Sequence, residues 1–391
     1  MSVRFSLVYP TRHRPGFVAQ ALGLLEQQRF ANFEVIVCDN WIDPALSCET
    51  VCAQSPLPNI RYVRPPQPLG MVDNWNYAAR FATGDYVCIF TDKIFLLPDA
   101  LQRIERALQY QEDPEMISWV SDAFQPSAYP DYFGAGEYVA TQADSPTNEL
   151  AHSFDAQEAL QTKCRGDVSR YEQTPSVYCR GKMVFGAYHR SLIERIVNRF
   201  GQLFFDISPD YTSMVLALSV ARSACELSSS AVVSIATDIS NGVLTGTDDA
   251  LALRYLRQLS GDERAMMANT LVPGLFASQA NLVSHDYLAL KSRFELELKL
   301  DMSNWLCHCI EDLGRPDRKW SSPETEQQQH VLVQEFVGAL AVSEQHQVIE
   351  RLETRFQQRN AGRLSIPVPG QRLSWQVTSL TQALQRRCAW S

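Results

Sequence analysis

The sequence predicts an α/β fold, a largely parallel sheet with crossover helices that gives way to a helical region. Three observations carry this reading. Strand-like and helix-like hydrophobic patterns alternate over roughly the first 120 residues, as parallel strands joined by helices require. Residues ~125–180 lose that periodicity and become rich in Pro, Gly, Ser, Asp and Tyr, the composition of long functional loops. From about Asp248 onward apolar residues recur at helical spacing, broken by polar stretches at Gly314–Ser322 and Asn360–Gly370. At 391 residues the chain has room for two or three units of roughly 150 residues.

The elements follow in order. Val3–Val8 alternates and stops at Pro10; Pro15 then opens a helix with Phe17, Val18, Ala21, Leu22 and Leu25 at helical spacing. Phe33–Cys38 is a buried-type strand ending at Asp39-Asn40, and Ile60–Val63 is a short third strand before the Pro65–Pro68 turn. Met71–Ala82 reads as a helix closed by Gly84 in the C-terminal role of glycine. Asp85–Phe90 is the fourth strand and ends at Thr91-Asp92-Lys93; a helix over Pro98–Tyr110 and a strand over Met116–Val120 come next. Later, Met183–Tyr188 is strand-like, Ser191 caps a helix, another helix starts near Tyr211, and Ala231–Ala236 is a strand.

Composition excludes several functions. The 35 Lys and Arg against 44 Asp and Glu give a net charge of −9, wrong for tracking a nucleic-acid backbone. With 45% hydrophobic and 20% charged residues the chain is globular and not disordered. No run of ~18 apolar residues spans a bilayer, which leaves peripheral membrane contact open. Met1–Phe5 runs straight into a strand pattern with no cleavable signal, so a cytoplasmic location with reduced thiols is expected. The ten cysteines are scattered, and Cys307-His308-Cys309 lacks a second ligand pair at zinc spacing and reads as helix core.

Ligands of an open parallel sheet bind outside the carboxyl ends of its strands. Those ends carry Pro10-Thr11-Arg12-His13-Arg14, Asp39-Asn40 and Thr91-Asp92-Lys93. Acids, hydroxyls and cations on three neighbouring strand ends suit a nucleotide: carboxylates for base and ribose, cations for phosphate. A glycine-rich phosphate loop, a serine nucleophile elbow and a histidine pair at zinc-helix spacing are all missing from the sequence. The first of these absences also counts against a nucleotidyltransferase.

The order strand–Pro-Thr-x-x-Arg–helix–strand–Asp-Asn, then Gly70-x5-Asn76, Gly84-Asp85-Tyr86 and Leu96-Leu97-Pro98-Asp99, resembles a family 2 glycosyltransferase of the GT-A fold. The resemblance covers residues ~3–125 well and ~180–245 weakly. It implies a Rossmann-like, mostly parallel mixed sheet flanked by helices over residues 1–245, with acceptor loops at about 125–180, and a helical C-terminal region over 246–391. The implied activity is inverting transfer of a sugar (a hexosyltransferase type of reaction) from a nucleoside diphosphate sugar to a saccharide, glycolipid or other hydroxyl acceptor. A surface polysaccharide or glycolipid pathway is the family-level setting. Pro10, Thr11, Arg14, Thr91 and Asp92 then lie against the nucleotide, Asp39 contacts the base, and Gly70 and Asn76 line the pocket.

The family's acidic metal motif, Asp-x-Asp-Asp, reads Thr91-Asp92-Lys93-Ile94 here. Lys93 stands where an acid ligates the divalent cation, and an ammonium can lie against the diphosphate instead. Either no cofactor is needed, or a divalent cation (Mg or Mn) rests on Asp92 alone. Arg180 and Lys182 are further candidate cations, and Trp75 replaces an arginine before the helix asparagine. Asp43 sits one residue short of a second family acid. The general base corresponds to Asp210, in Phe204-Phe205-Asp206-Ile207-Ser208-Pro209-Asp210, with Asp206 in reserve; Asp210 also suits a helix cap. Asp122 is implied at the donor sugar and Asn241-Gly242 over the diphosphate. Tyr129, Tyr132, Phe133, Tyr138 and Tyr171 are candidate sugar-facing rings, and His13 is a loop polar residue. The competing reading is a non-catalytic sugar-nucleotide-binding or scaffold protein. Oligomeric state is not readable from the sequence.

Overall fold

A computed structural model describes residues 2–127, 134–141, 149–166, 174–235, 245–259, 263–360 and 373–388. The apolar runs of the first half become β1 (Phe5–Thr11), β2 (Phe33–Asp39), β3 (Ile60–Val63) and β4 (Tyr86–Ile89), all parallel in the order β3-β2-β1-β4. Val35, Ile36 and Val37 are β-branched and fully buried, as expected of a strand covered on both faces. Burying each such side chain contributes roughly 1.5–3 kcal/mol. The sheet continues through β10 (Gly186–His189), antiparallel to β4, and then β6 (Met116–Ser118), β11 (Ala224–Leu227) and β9 (Ala151–Ser153). Helices α1 (Pro15–Leu25), α2 (Glu49–Gln54), α3 (Met71–Ala79) and α4 (Ala100–Tyr110) connect the parallel strands, with Pro15 in the first turn of α1 where its missing N–H has no bond to lose.

A second sheet has the order β13 (Leu373–Val377), β8 (Gly136–Ala140), β7 (Ser121–Pro126), β12 (Val232–Ile235) and β5 (Ile94–Leu96). The stretch expected as one strand over Met116–Val120 therefore serves both sheets. Trp119 N donates to Phe185 O in the first, and Val120 O accepts from Ala231 N beside the second. Residues 125–180, expected as loops, hold β8, β9, α5 (Ala156–Cys164) and α6 (Pro175–Cys179); elements of three to nine residues are too short to print a period.

Two boundaries differ from expectation. The third helix ends at Ala79, and Gly84 is not its cap: a Cβ there would lie 2.7 Å from Ser6 N, so glycine lets the chain cross β1 closely. Helix α7 (Arg190–Phe200) is capped by His189, whose side chain accepts from Ser191 N, so Ser191 lies inside the helix.

Helix α8 (Pro209–Val220) closes the first half. The helical region follows as α9 (Asp249–Leu259), α10 (Glu263–Ala268), α11 (Gln279–Phe294), α12 (Met302–Leu313), α13 (Pro323–Ala339), α14 (Val342–Asn360) and α15 (Leu380–Cys388). The sequence missed β13, a strand inside this region that pairs antiparallel with β8 and so returns to the second sheet. No helix among the described residues is long and apolar enough to cross a membrane. The nine described cysteines are buried and free, and burial pushes the Cys38 and Cys179 thiols up to about 12, so they behave as small apolar groups.

The turn before α8 is gripped from two sides. Asn76 of α3 accepts from Leu203 N and Phe204 N and donates to Phe204 O at 2.9 Å, while Trp75 meets the Phe204 ring edge-on at 5.3 Å. From α11, Asp286 is fully buried and accepts from Ile207 N at 3.0 Å and Ser208 N at 2.8 Å. One clasp belongs to the first half of the chain and the other to the helical region, so the first turn of α8 is oriented by both. Asn76→Ala leaves two N–H groups unpaired, while Phe204 O keeps its bond from Gln202 Nε2, and is expected to lower stability by about 2–3 kcal/mol in a denaturant titration.

Glu115 is held in a bidentate pair by Arg195, with bonds of 2.8 and 2.5 Å, and also accepts from Arg222 N. Arg195 first, then Arg222, hold its carboxyl below the usual 4.5. A depressed carboxylate contributes stability that is present above pH 4.5 and is lost as pH falls through its lower folded value. Glu115→Gln is thus expected to cost about 1–2 kcal/mol at neutral pH. The gap from wild type should close below pH 4.5 in melting curves run across the acid range.

Candidate active site

The parallel register decides where polar groups collect. Thr11 pairs with Asp39 across β1 and β2, and Val8 with Ile89 across β1 and β4, so Thr11, Asp39 and Asp92 leave the sheet along one edge. That edge lies where the strand order turns back on itself, the usual ligand crevice of such sheets.

Asp39 is fully buried and asymmetric. Its Oδ2 accepts from Cys48 N at 2.6 Å, Tyr62 Oη at 3.1 Å and Ser47 Oγ at 3.2 Å, whereas its Oδ1 has no partner. Three donors fix the carboxylate and leave one acceptor lone. The Oγ1 of Thr91, just past β4, is likewise buried and unpartnered. Buried acceptors and donors of this kind cost about 1–3 kcal/mol each when nothing satisfies them.

Beside them, Asn40 exchanges two hydrogen bonds with the Leu69 backbone, both 2.9 Å, and Arg12 bonds Leu69 O and Asn40 O. This latch holds the segment leading to Gly70, whose carbonyl accepts from Asn74 N as the N-cap of α3. Pro10 is buried within β1 opposite Cys38. His13 adopts φ +58° and its Nε2 accepts from Ile42 N and Asp43 N, the local role expected of it; Asp43 caps the next turn through Ala45 N.

Arg14 Nη1 lies 2.7 Å from Asp92 Oδ1, and Thr11 Oγ1 donates to Asp92 Oδ2 at 3.3 Å. Lys93 is half-buried and its carbonyl ties the second sheet by accepting from Ile235 N at 2.9 Å. One carboxylate with both oxygens engaged, one of them by a guanidinium, is a poor donor set for a divalent cation. Among the described residues the group that could offer three ligands is Asp206, His285 and Asp286, away from this strand end. Asp206 there has φ +46°, and Asp286 already accepts two backbone amides. Burial alone would lower the His285 pKa, but Asp286 and Asp206 outweigh it and hold it above 6.5.

Asp210 stands half-exposed in the first turn of α8, and Lys182 Nζ lies 3.9 Å from its Oδ2. Asn76, expected at the nucleotide, spends its amide on the 203–204 backbone and so joins the two ends of the site mechanically. Asp122 is fully buried. Its Oδ2 accepts from Tyr138 Oη at 2.7 Å and Arg387 Nε at 3.0 Å, and its Oδ1 from Thr141 N at 2.7 Å. Tyr138 accordingly lies in the core, stacked on Trp375 at 5.1 Å, and presents no ring face to a sugar. Arg180 is committed to buried Glu226 through two bonds of 3.0 and 2.8 Å. Tyr129, Tyr132, Phe133, Tyr171, Asn241 and Gly242 fall outside the described residues. Sequence reading missed Tyr62, Ser47 and Asp286, which act through hydrogen bonds across 8 to 79 positions and belong to no local pattern.

Residues 6–121 match the Glycosyl transferase family 2 profile. No curated protein matches the chain. Among solved structures, S. aureus TarS 1-349 in complex with UDP-GlcNAc is similar at 14% identity and a TM-score of 0.44, with 92% of each chain covered. The longer S. aureus TarS structure aligns at the same identity and score over 91% of this chain, which spans only 55% of that protein's length. The mannosyltransferase PcManGT from Pyrobaculum calidifontis, in complex with GDP-Man and Mn2+, aligns at 14% identity and a TM-score of 0.37, covering 93% and 88%. The strand-end residues Thr11, Asp39, Thr91 and Asp92 all lie within this profile-matched segment, which spans about a third of the chain.

Proposed function

We propose that this chain moves a sugar from a nucleoside diphosphate sugar to a hydroxyl of a saccharide or glycolipid acceptor, inverting the anomeric centre. The observation that carries the reading is the pair of buried, unpartnered polar atoms, Asp39 Oδ1 and Thr91 Oγ1, on the strand edge where a nucleotide binds in such sheets. A base N–H donating to Asp39 Oδ1 satisfies the one acceptor its three donors leave over. Because Asp39 is fully covered, the surrounding residues must part for the base to enter.

In this reading Asp210 takes the proton from the acceptor hydroxyl as that oxygen attacks the anomeric carbon. The carbon's bond to the diphosphate breaks on the opposite face, and the nucleoside diphosphate leaves with the bonding pair. Lys93 and Arg14 supply positive charge to the departing phosphates in place of a metal, since the Asp92 environment suits a cation poorly.

A thermal-shift panel of UDP and GDP sugars tests the reading directly. A nucleotide sugar is expected to raise the melting temperature with or without chelator, and Asp39→Asn to weaken its binding roughly tenfold or more. Activity abolished by chelator would defeat the metal-free part alone. Stabilisation without turnover would assign the chain to the non-catalytic reading, and no stabilisation by any nucleotide would remove the transferase reading. For the base, Asp210→Asn is expected to cut transfer by about 10²–10⁴ while donor binding stays within about twofold.

A further inference from the structure

Lys182 is 1% exposed, so its ammonium is held away from water. It lies 3.7 Å from the ring centroid of Tyr178 and 3.9 Å from that of Tyr211, with Asp210 Oδ2 at 3.9 Å as its anionic neighbour. The cage is built from three elements: α6 supplies Tyr178, α8 supplies Tyr211 and Asp210, and the turn before β10 supplies the lysine.

The chain goes to some length to send the side chain inward. Gly181 has φ +80°, a conformation strained for any other residue, and a Cβ there would lie 2.9 Å from the Leu218 side chain. Its N–H donates to Ser118 Oγ and its carbonyl accepts from Tyr188 Oη, so the turn is pinned on both sides. Lys163, buried on α5, bonds the carbonyls of Val177 and Tyr178 and fixes the Tyr178 wall. A lysine that merely filled this slot could be an apolar residue of equal length, with no charge to desolvate. Cation–π contact with two rings offsets part of that desolvation, and the remaining partner is the carboxylate of Asp210.

We propose that Lys182 is a positioning residue for Asp210: the caged ammonium sets the direction of the carboxylate and balances its charge while it works as base. This rests on the reading of Asp210 as the base. The geometry also separates Lys182 from the diphosphate-binding role that its place in the sequence suggested. The other groups facing Asp210 are the phenols of Tyr188 on β10, Tyr211 on α8 and Tyr255 on α9. Burial drives all three phenols well above their usual range, so Lys182 is the cation among them.

The test compares Lys182→Met, Lys182→Arg and Asp210→Asn in the full chain with a nucleotide sugar that the protein turns over. Lys182→Met is expected to lower kcat roughly 10- to 100-fold with donor KM within about twofold. Lys182→Arg, which keeps the charge, is expected to recover much of the rate. A Lys182→Met enzyme with the wild-type rate would overturn the proposal. So would a raised donor KM at unchanged kcat, which would make Lys182 a donor-binding group. If Lys182→Met does not fold, Tyr178→Leu removes one wall and keeps the lysine; a smaller fall in kcat at unchanged donor KM is expected, and no change overturns the idea. Asp210→Asn keeps the two failures apart. Wild-type transfer in that variant defeats the base reading itself, whereas an inactive Asp210→Asn beside a normal Lys182→Met defeats only the role given to Lys182.

Discussion

The parallel register of β1, β2 and β4 sets the position of the polar groups at the strand ends. Thr11 against Asp39 and Val8 against Ile89 bring three strands to an end together, so side chains dozens of residues apart share one edge. Parallel strands need buried faces, and the helices that bury them also deliver the loops that follow each strand. The Asn40–Leu69 latch, the three-donor grip on Asp39 and the Arg14–Asp92 pair are consequences of that geometry. A slip of one residue in β2 would turn Asp39 to the opposite face and dissolve the latch and the grip.

The far side of the site obeys a different constraint. The turn over residues 203–208 carries backbone N–H groups that the following helix cannot satisfy, and two side chains, part-buried Asn76 and fully buried Asp286, accept them. Asn76 does this from α3 and Asp286 from the helical region. The helical region thereby has a physical task at the site, since Asp286 anchors the turn that leads into Asp210.

The sequence was legible where periodicity is strong and chemistry is local. Near-continuous apolar runs fixed the first four strands to within a few residues, and Pro15 marked the start of its helix. The strand-end residues were legible because their position follows from topology alone. The third helix was drawn too long because Gly84 has the composition of a cap, while its actual reason is β1, which leaves no room for a Cβ there. Strand β13 was missed because five residues between helical stretches carry too little pattern. The caging of Lys182 was illegible for another reason: it depends on a left-handed glycine and on two rings 4 and 29 positions along the chain, which no spacing rule connects.

Strand β13 and Arg387 alter how assembly must proceed. The outer strand of the second sheet comes from Leu373–Val377, and the guanidinium that neutralises fully buried Asp122 lies 265 positions downstream of that aspartate. During synthesis β7 and β8 emerge long before either, so Asp122 must wait with an open charge and β8 with an open edge until almost 390 residues have been made. The closing of this sheet is therefore a late event of high sequence separation, and the nascent chain carries an exposed pairing edge for most of its translation.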